Sequence, residues 1–94
     1  MADSDKEERK QAVAIKYEQK HSQAPVVVAK GQGLVAEQIM AAAKQHAVPV
    51  YQNKTLAGML MAVELDSQIP PELYKAVAEV LAYVYRLDQN RQRR

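Results

Sequence analysis

The spacing of apolar residues changes repeatedly along this chain, and each spacing predicts a different element. Residues 1–10, MADSDKEERK, hold no large apolar side chain after Met1. They bury too little to offset the entropy of ordering and read as a charged flexible arm. From Gln11 the run QAVAIKY places Val13, Ile15 and Tyr17 at alternate positions, the pattern of a half-buried strand. A polar loop, EQKHSQAP, closes it, and VVVAK follows as a continuous β-branched run bounded by Pro25 and Gly31. Such a run predicts a strand buried on both faces at the centre of the sheet.

Residues 32–47 then repeat Ala36, Ile39, Met40, Ala43 and Ala47 at helical spacing, which predicts a helix with a narrow, small-residue face. VPVY at residues 48–51 reads as another short strand, so residues 26–51 predict a β-α-β unit with parallel strands and a right-handed crossover. Asn53 or Thr55 caps the next helix, where Leu56, Met59, Leu60 and Val63 sit at i, i+3, i+4 and i+7. LDSQIPPE interrupts the pattern. Pro70 or Pro71, with Glu72 in the first turn, then opens a last helix whose stripe is Leu73, Val77, Val80, Leu81, Val84 and Leu87. These elements predict an α/β domain over residues 11–88: a small central mixed sheet of about three strands surrounded by three main helices, with residues 89–94 as a basic tail.

Size and composition narrow the function classes. A chain of 94 residues is one domain, too short for a full two-halved nucleotide fold with a substrate domain. No apolar run approaches the roughly 20 residues that span a bilayer. The absence of cysteine excludes disulfides and thiolate metal sites and points to a cytoplasmic location. The formal net charge is only +2, and the basic residues are spread out except at Arg91, Arg93 and Arg94. The tyrosines do not interleave with them, so no nucleic-acid partner is expected. The alternative, nucleic-acid binding through Arg86, Arg91, Arg93 and Arg94, predicts a steep salt dependence.

GQGLVA is the most suggestive motif. Gly31, Gly33 and Ala36 fit the dinucleotide fingerprint G-x-G-x-x-G/A, and a small nucleotide-binding enzyme is the alternative reading it supports. That fingerprint needs a carboxylate about 20 residues further on to hold the ribose. Here the region reads Tyr51, Gln52, Asn53, Lys54, so the glycines are expected to serve a tight strand-to-helix turn. His21 falls in the polar loop and His46 at a helix end, without metal-ligand spacing. Glu64, Asp66, Glu72, Glu79 and Asp88 offer no nameable acid-base pair. Asn53-Lys54-Thr55 matches a glycosylation acceptor but is better placed as a helix cap, and Met59 is expected in the core with Met61 on the surface. The residues thus point to a binding module without cofactor or metal, not to an enzyme.

Three stretches, AVAIKYEQKHSQAPVVVAKGQGLVAEQI, VPVYQNKTLAGML and QIPPELYKAVAEVLAYVYRL, resemble in order and spacing the cytoplasmic C-terminal domain of the FlhB/YscU family. These are export-switch proteins of the bacterial flagellar and type III secretion apparatus. The resemblance implies a small sheet surrounded by helices and a role in protein export, with export-apparatus proteins or export substrates as partners. Family members carry an integral-membrane half before this domain, so the chain resembles a free-standing soluble part, expected in the cytoplasm or peripheral at the apparatus. Members also cleave themselves at Asn-Pro-Thr-His just before the strand equivalent to AVAIKY, the asparagine side-chain amide attacking its own backbone carbonyl. The matching positions here are Glu7, Glu8, Arg9 and Lys10, which supply no such nucleophile, and self-cleavage is expected to be absent. The family's strand upstream of that loop is missing too, which would leave an edge beside Val13 and Ile15 to accept a strand from another chain or a second copy. By position, Ala24, Pro25, Ala78 and Leu81 match the family's shallow apolar patch implicated in docking export substrates.

Overall fold

Two antiparallel strands, β1 (Gln11–Lys16) and β2 (Val26–Gln32), form the sheet around which the chain is organised. The structure, a computed structural model, describes residues 10–17 and 24–92, with side chains as far as Arg86. The expected arm falls outside the described residues apart from Lys10, as do His21 and residues 93–94. Three helices follow: α1 (Leu34–Gln45), α2 (Lys54–Leu60) and α3 (Tyr74–Gln92), the last entered through a single 3₁₀ turn, Pro71–Leu73. The architecture is the expected α/β arrangement of helices about a small sheet.

The two faces of the sheet bury different partners. Ile15 pairs with Val27 and Val13 with Lys30, so these side chains share one face. There Val27 joins Leu56, Leu60, Val63, Ile69 and Val77 in the core cluster, against which Val13, Ile15, Leu73, Ala76, Val80 and Leu81 are packed. Ala12 and Ala36 are buried apart from that cluster, where α1 lies across β1 and β2. Small residues on both sides let helix and sheet approach closely. Gly31 belongs to this contact: a Cβ built on it would fall 2.6 Å from Cβ of Val35 and closer still to Cγ1. Gly33 is needed for its backbone, with φ 58° and ψ −124°, a conformation that L side chains avoid. The glycines therefore turn the chain from β2 into α1, as the sequence suggested.

The predicted β-α-β unit is not formed. Residues 48–51 are not a strand, because Val48 N–H is already donated to Ala43 O at 2.8 Å and Pro49 has no N–H to give. Those bonds close α1 in a Schellman arrangement, with Ala47 N–H on Lys44 O at 3.3 Å and Ala47 at φ 57°. What pairs with β2 on its second side is the segment the sequence marked as a break. Val26 and Gln68 form an antiparallel bridge, flanked by Val27 N–H to Ser67 O (3.1 Å), Asp66 N–H to Val27 O (2.7 Å) and Ile69 N–H to Pro25 O (2.9 Å). β2 is thus central, though antiparallel to both neighbours.

Nor is VVVAK buried on both faces. A bulge between Ala14 and Ile15 leaves Val28 without a partner, and its side chain is 43% exposed. Met59 and Met61 are exchanged relative to expectation: Met59 is 47% exposed and Met61 half-buried. The α2 helix ends at Leu60, so its buried line is only Leu56 and Leu60, while Val63 reaches the core from the turn beyond. Of the proposed α1 stripe only Ala36 is fully buried, and Met40 and Ala47 are exposed. Asn53, not Thr55, caps α2, its side-chain oxygen accepting from Leu56 N–H at 3.0 Å. The α3 helix runs on through the residues expected as a tail, to Gln92.

Candidate functional site

Pro25 and Ala24 stand half-buried at the entry to β2. The carbonyl of Pro25 accepts from Ile69 N–H, and Ile69 lies fully inside the core cluster with Val77, against which Leu81 also packs. The loop before β2 and the middle of α3 are therefore tied through one buried residue. Ala78 follows Val77 on α3 and is exposed, while Leu81 is half-buried and shared between the core and the surface. Ala24, Pro25 and Leu81 are thus half-buried and Ala78 exposed, and all four are apolar. Such a set offers apolar contact and supplies no acid, base or ligand group of its own.

The second candidate feature is the free side of β1. Gly33 N–H donates to Lys10 O at 2.9 Å, which makes Lys10 and Gly33 a hydrogen-bonded pair of the antiparallel ladder. Bonded and non-bonded pairs alternate, so Ala12 and Ala14 turn their backbone groups toward β2 while Gln11 and Val13 turn theirs away. Among the described residues no strand lies on that side. The β2 strand is guarded by its bulge and by the 66–69 segment; among the described residues β1 is regular, with neither a bulge nor a pairing segment on its outer side. Glu7, Glu8 and Arg9 lie outside the described residues. Lys10 is exposed and continuous with β1.

One side chain that the pattern did not single out organises this region. Lys30, the last residue of VVVAK, shares the core face with Val13 and sends its Nζ to Met61 O at 2.9 Å and Val63 O at 2.6 Å. It thus satisfies carbonyls at and beyond the end of α2 and places a cation at the negative end of that helix. The only sequence signal was a charged residue in a strand that should otherwise be apolar. Elsewhere the ring of Tyr51 meets that of Tyr83 on α3 edge to face, with centroids 5.4 Å apart, and holds the irregular segment after α1 against the helix.

The glycine turn does not form a dinucleotide site. Such sites lie in the crevice between parallel strands, and here β2 runs antiparallel to β1 and to the bridge at Gln68. Arg86 is exposed on α3; Arg91, although within the helix, has its side chain outside the described set. Among the described residues, no helix is long and apolar enough to cross a membrane.

Comparison with known proteins gives this arrangement its context. The Bacillus subtilis protein YlqH is 38% identical over 81 residues, spanning 86% of this chain and 87% of YlqH. The flagellar biosynthetic protein FlhB of Aquifex aeolicus is 47% identical over 74 residues, 78% of this chain but 21% of that protein. The chain therefore spans most of one relative and about a fifth of the other. Among solved structures, the cytoplasmic domain of FlhB from Shewanella putrefaciens superposes with a TM-score of 0.75 at 43% identity, covering 80% of this chain and 63% of that one. The PscU C-terminal domain gives 0.74 at 31% identity, covering 79% and 95%. The SpaS C-terminal domain shares the fold, with a TM-score of 0.82 at 17% identity over 88% of this chain and 97% of that one. The model of the FlhB HrpN YscU SpaS family matches residues 9–84, and the chain belongs to that family.

Proposed function

We propose that the chain is a non-enzymatic accessory protein of the flagellar or type III export apparatus, binding export substrates or export-gate components as a soluble, non-cleaving counterpart of the export-switch domain. The observation that supports this reading is the link from Pro25 through Ile69 to the core cluster that holds Val77 and packs Leu81, which ties together the elements that carry Ala24, Pro25, Ala78 and Leu81, the residues of the shallow apolar recess inferred from the family patch. The near-complete coverage of YlqH supports a counterpart of this size. Residues 7–10, Glu-Glu-Arg-Lys, lack the asparagine that self-cleavage requires, so the purified chain keeps its full mass on prolonged incubation. Appearance of a fragment beginning at Glu8 would refute the non-cleaving role.

The partner reading is tested by capture on the immobilised protein. Purified export substrates are retained by the wild-type chain and lost with Ala78→Asp, whose circular dichroism stays native because Ala78 is exposed. Equal retention by the folded variant removes the recess from the mechanism. The open side of β1 adds a second mode, in which the stub of a membrane-anchored relative, the segment before its cleavage point, pairs beside Val13 and Ile15. Gln11→Pro is the sensitive probe. Its N–H faces the open side, so proline spares the ladder to β2 while removing a donor a docking strand would use. A stub peptide that binds Gln11→Pro as well as wild type is not pairing at this edge.

A further inference from the structure

We draw no further inference here: the strongest candidate, the surface patch of exposed Val48, Val50 and Tyr51 after α1, with Tyr51 against Tyr83 of α3, is an unpartnered apolar face among the described residues and nothing in the structure shows what covers it.

Discussion

Replacing Lys30 by methionine keeps the length of the side chain and its apolar stem but removes the ammonium that bridges β2 to the chain leaving α2. Two charge-assisted hydrogen bonds are lost, to Met61 O at 2.9 Å and Val63 O at 2.6 Å. A bond with a charged partner contributes about 1.5–3 kcal/mol net. Met61 is half-buried, so water can reach part of what is vacated, and the pair is worth about 2–4 kcal/mol in total. The lost cation at the end of α2 adds about 0.3–1 kcal/mol. A domain of this size has a total stability of about 5–14 kcal/mol, so the substitution removes a substantial fraction. At about 4–8 °C per kcal/mol the melting temperature falls by 10–25 °C, roughly, for a loss near 3 kcal/mol. Urea denaturation followed by far-UV circular dichroism measures the loss directly. Lys30→Gln, which keeps an amide donor, falls between the two. A Lys30→Met protein within about 0.5 kcal/mol of wild type would refute the argument that these contacts join sheet and helix, because surface substitutions without a specific role stay in that range.

Substitutions at four further positions act on backbone geometry and helix capping. Ala47→Gly relieves a non-glycine residue held at φ 57° in the Schellman closure of α1, and it raises stability by about 0.5–1 kcal/mol after the entropy of the unfolded chain is counted; a decrease on denaturation would contradict that geometry. Gly31→Ala and Gly58→Ala separate two kinds of glycine. The first forces a Cβ into Val35 and costs about 1–3 kcal/mol, whereas the second meets nothing nearer than Gln11 Oε1 at 3.7 Å inside α2 and adds up to about 1 kcal/mol. Equal thermal shifts for the pair would show that close packing of α1 on β2 is not what Gly31 serves. Asn53→Ala removes the bond to Leu56 N–H and costs about 1 kcal/mol, with Asn53→Asp close to neutral; thermal melts of the two variants decide it.

The elements that were legible in the sequence are those whose signal is local. Asn53 ahead of Leu56 and Leu60, Pro71 ahead of Leu73, and the alternation of Val13 and Ile15 each state a preference that the fold keeps. What was misread depends on competition between segments. VPVY has the composition of a strand, but Val48 spends its N–H on closing α1 and Pro49 has none, so the partnership with β2 passes to residues 66–69. Those residues look like a break because LDSQIPPE interrupts the helical apolar pattern and holds two prolines, yet Asp66, Ile69 and Val27 each give an N–H to that pairing. The candidate site follows from the same misreading. Ala24, Pro25, Ala78 and Leu81 carry no chemical signature and could be named only through family resemblance. What the structure adds is that Ile69 of the unexpected bridge segment bonds Pro25 O and shares the core cluster with Val77. A variant that weakens this segment, such as Ile69→Ala, would therefore reach the recess and the core together, losing about 2–5 kcal/mol and export-partner binding in one step. Ala78→Asp, by contrast, separates the two, and binding that survives Ile69→Ala in a folded protein would show that the recess does not rest on this link.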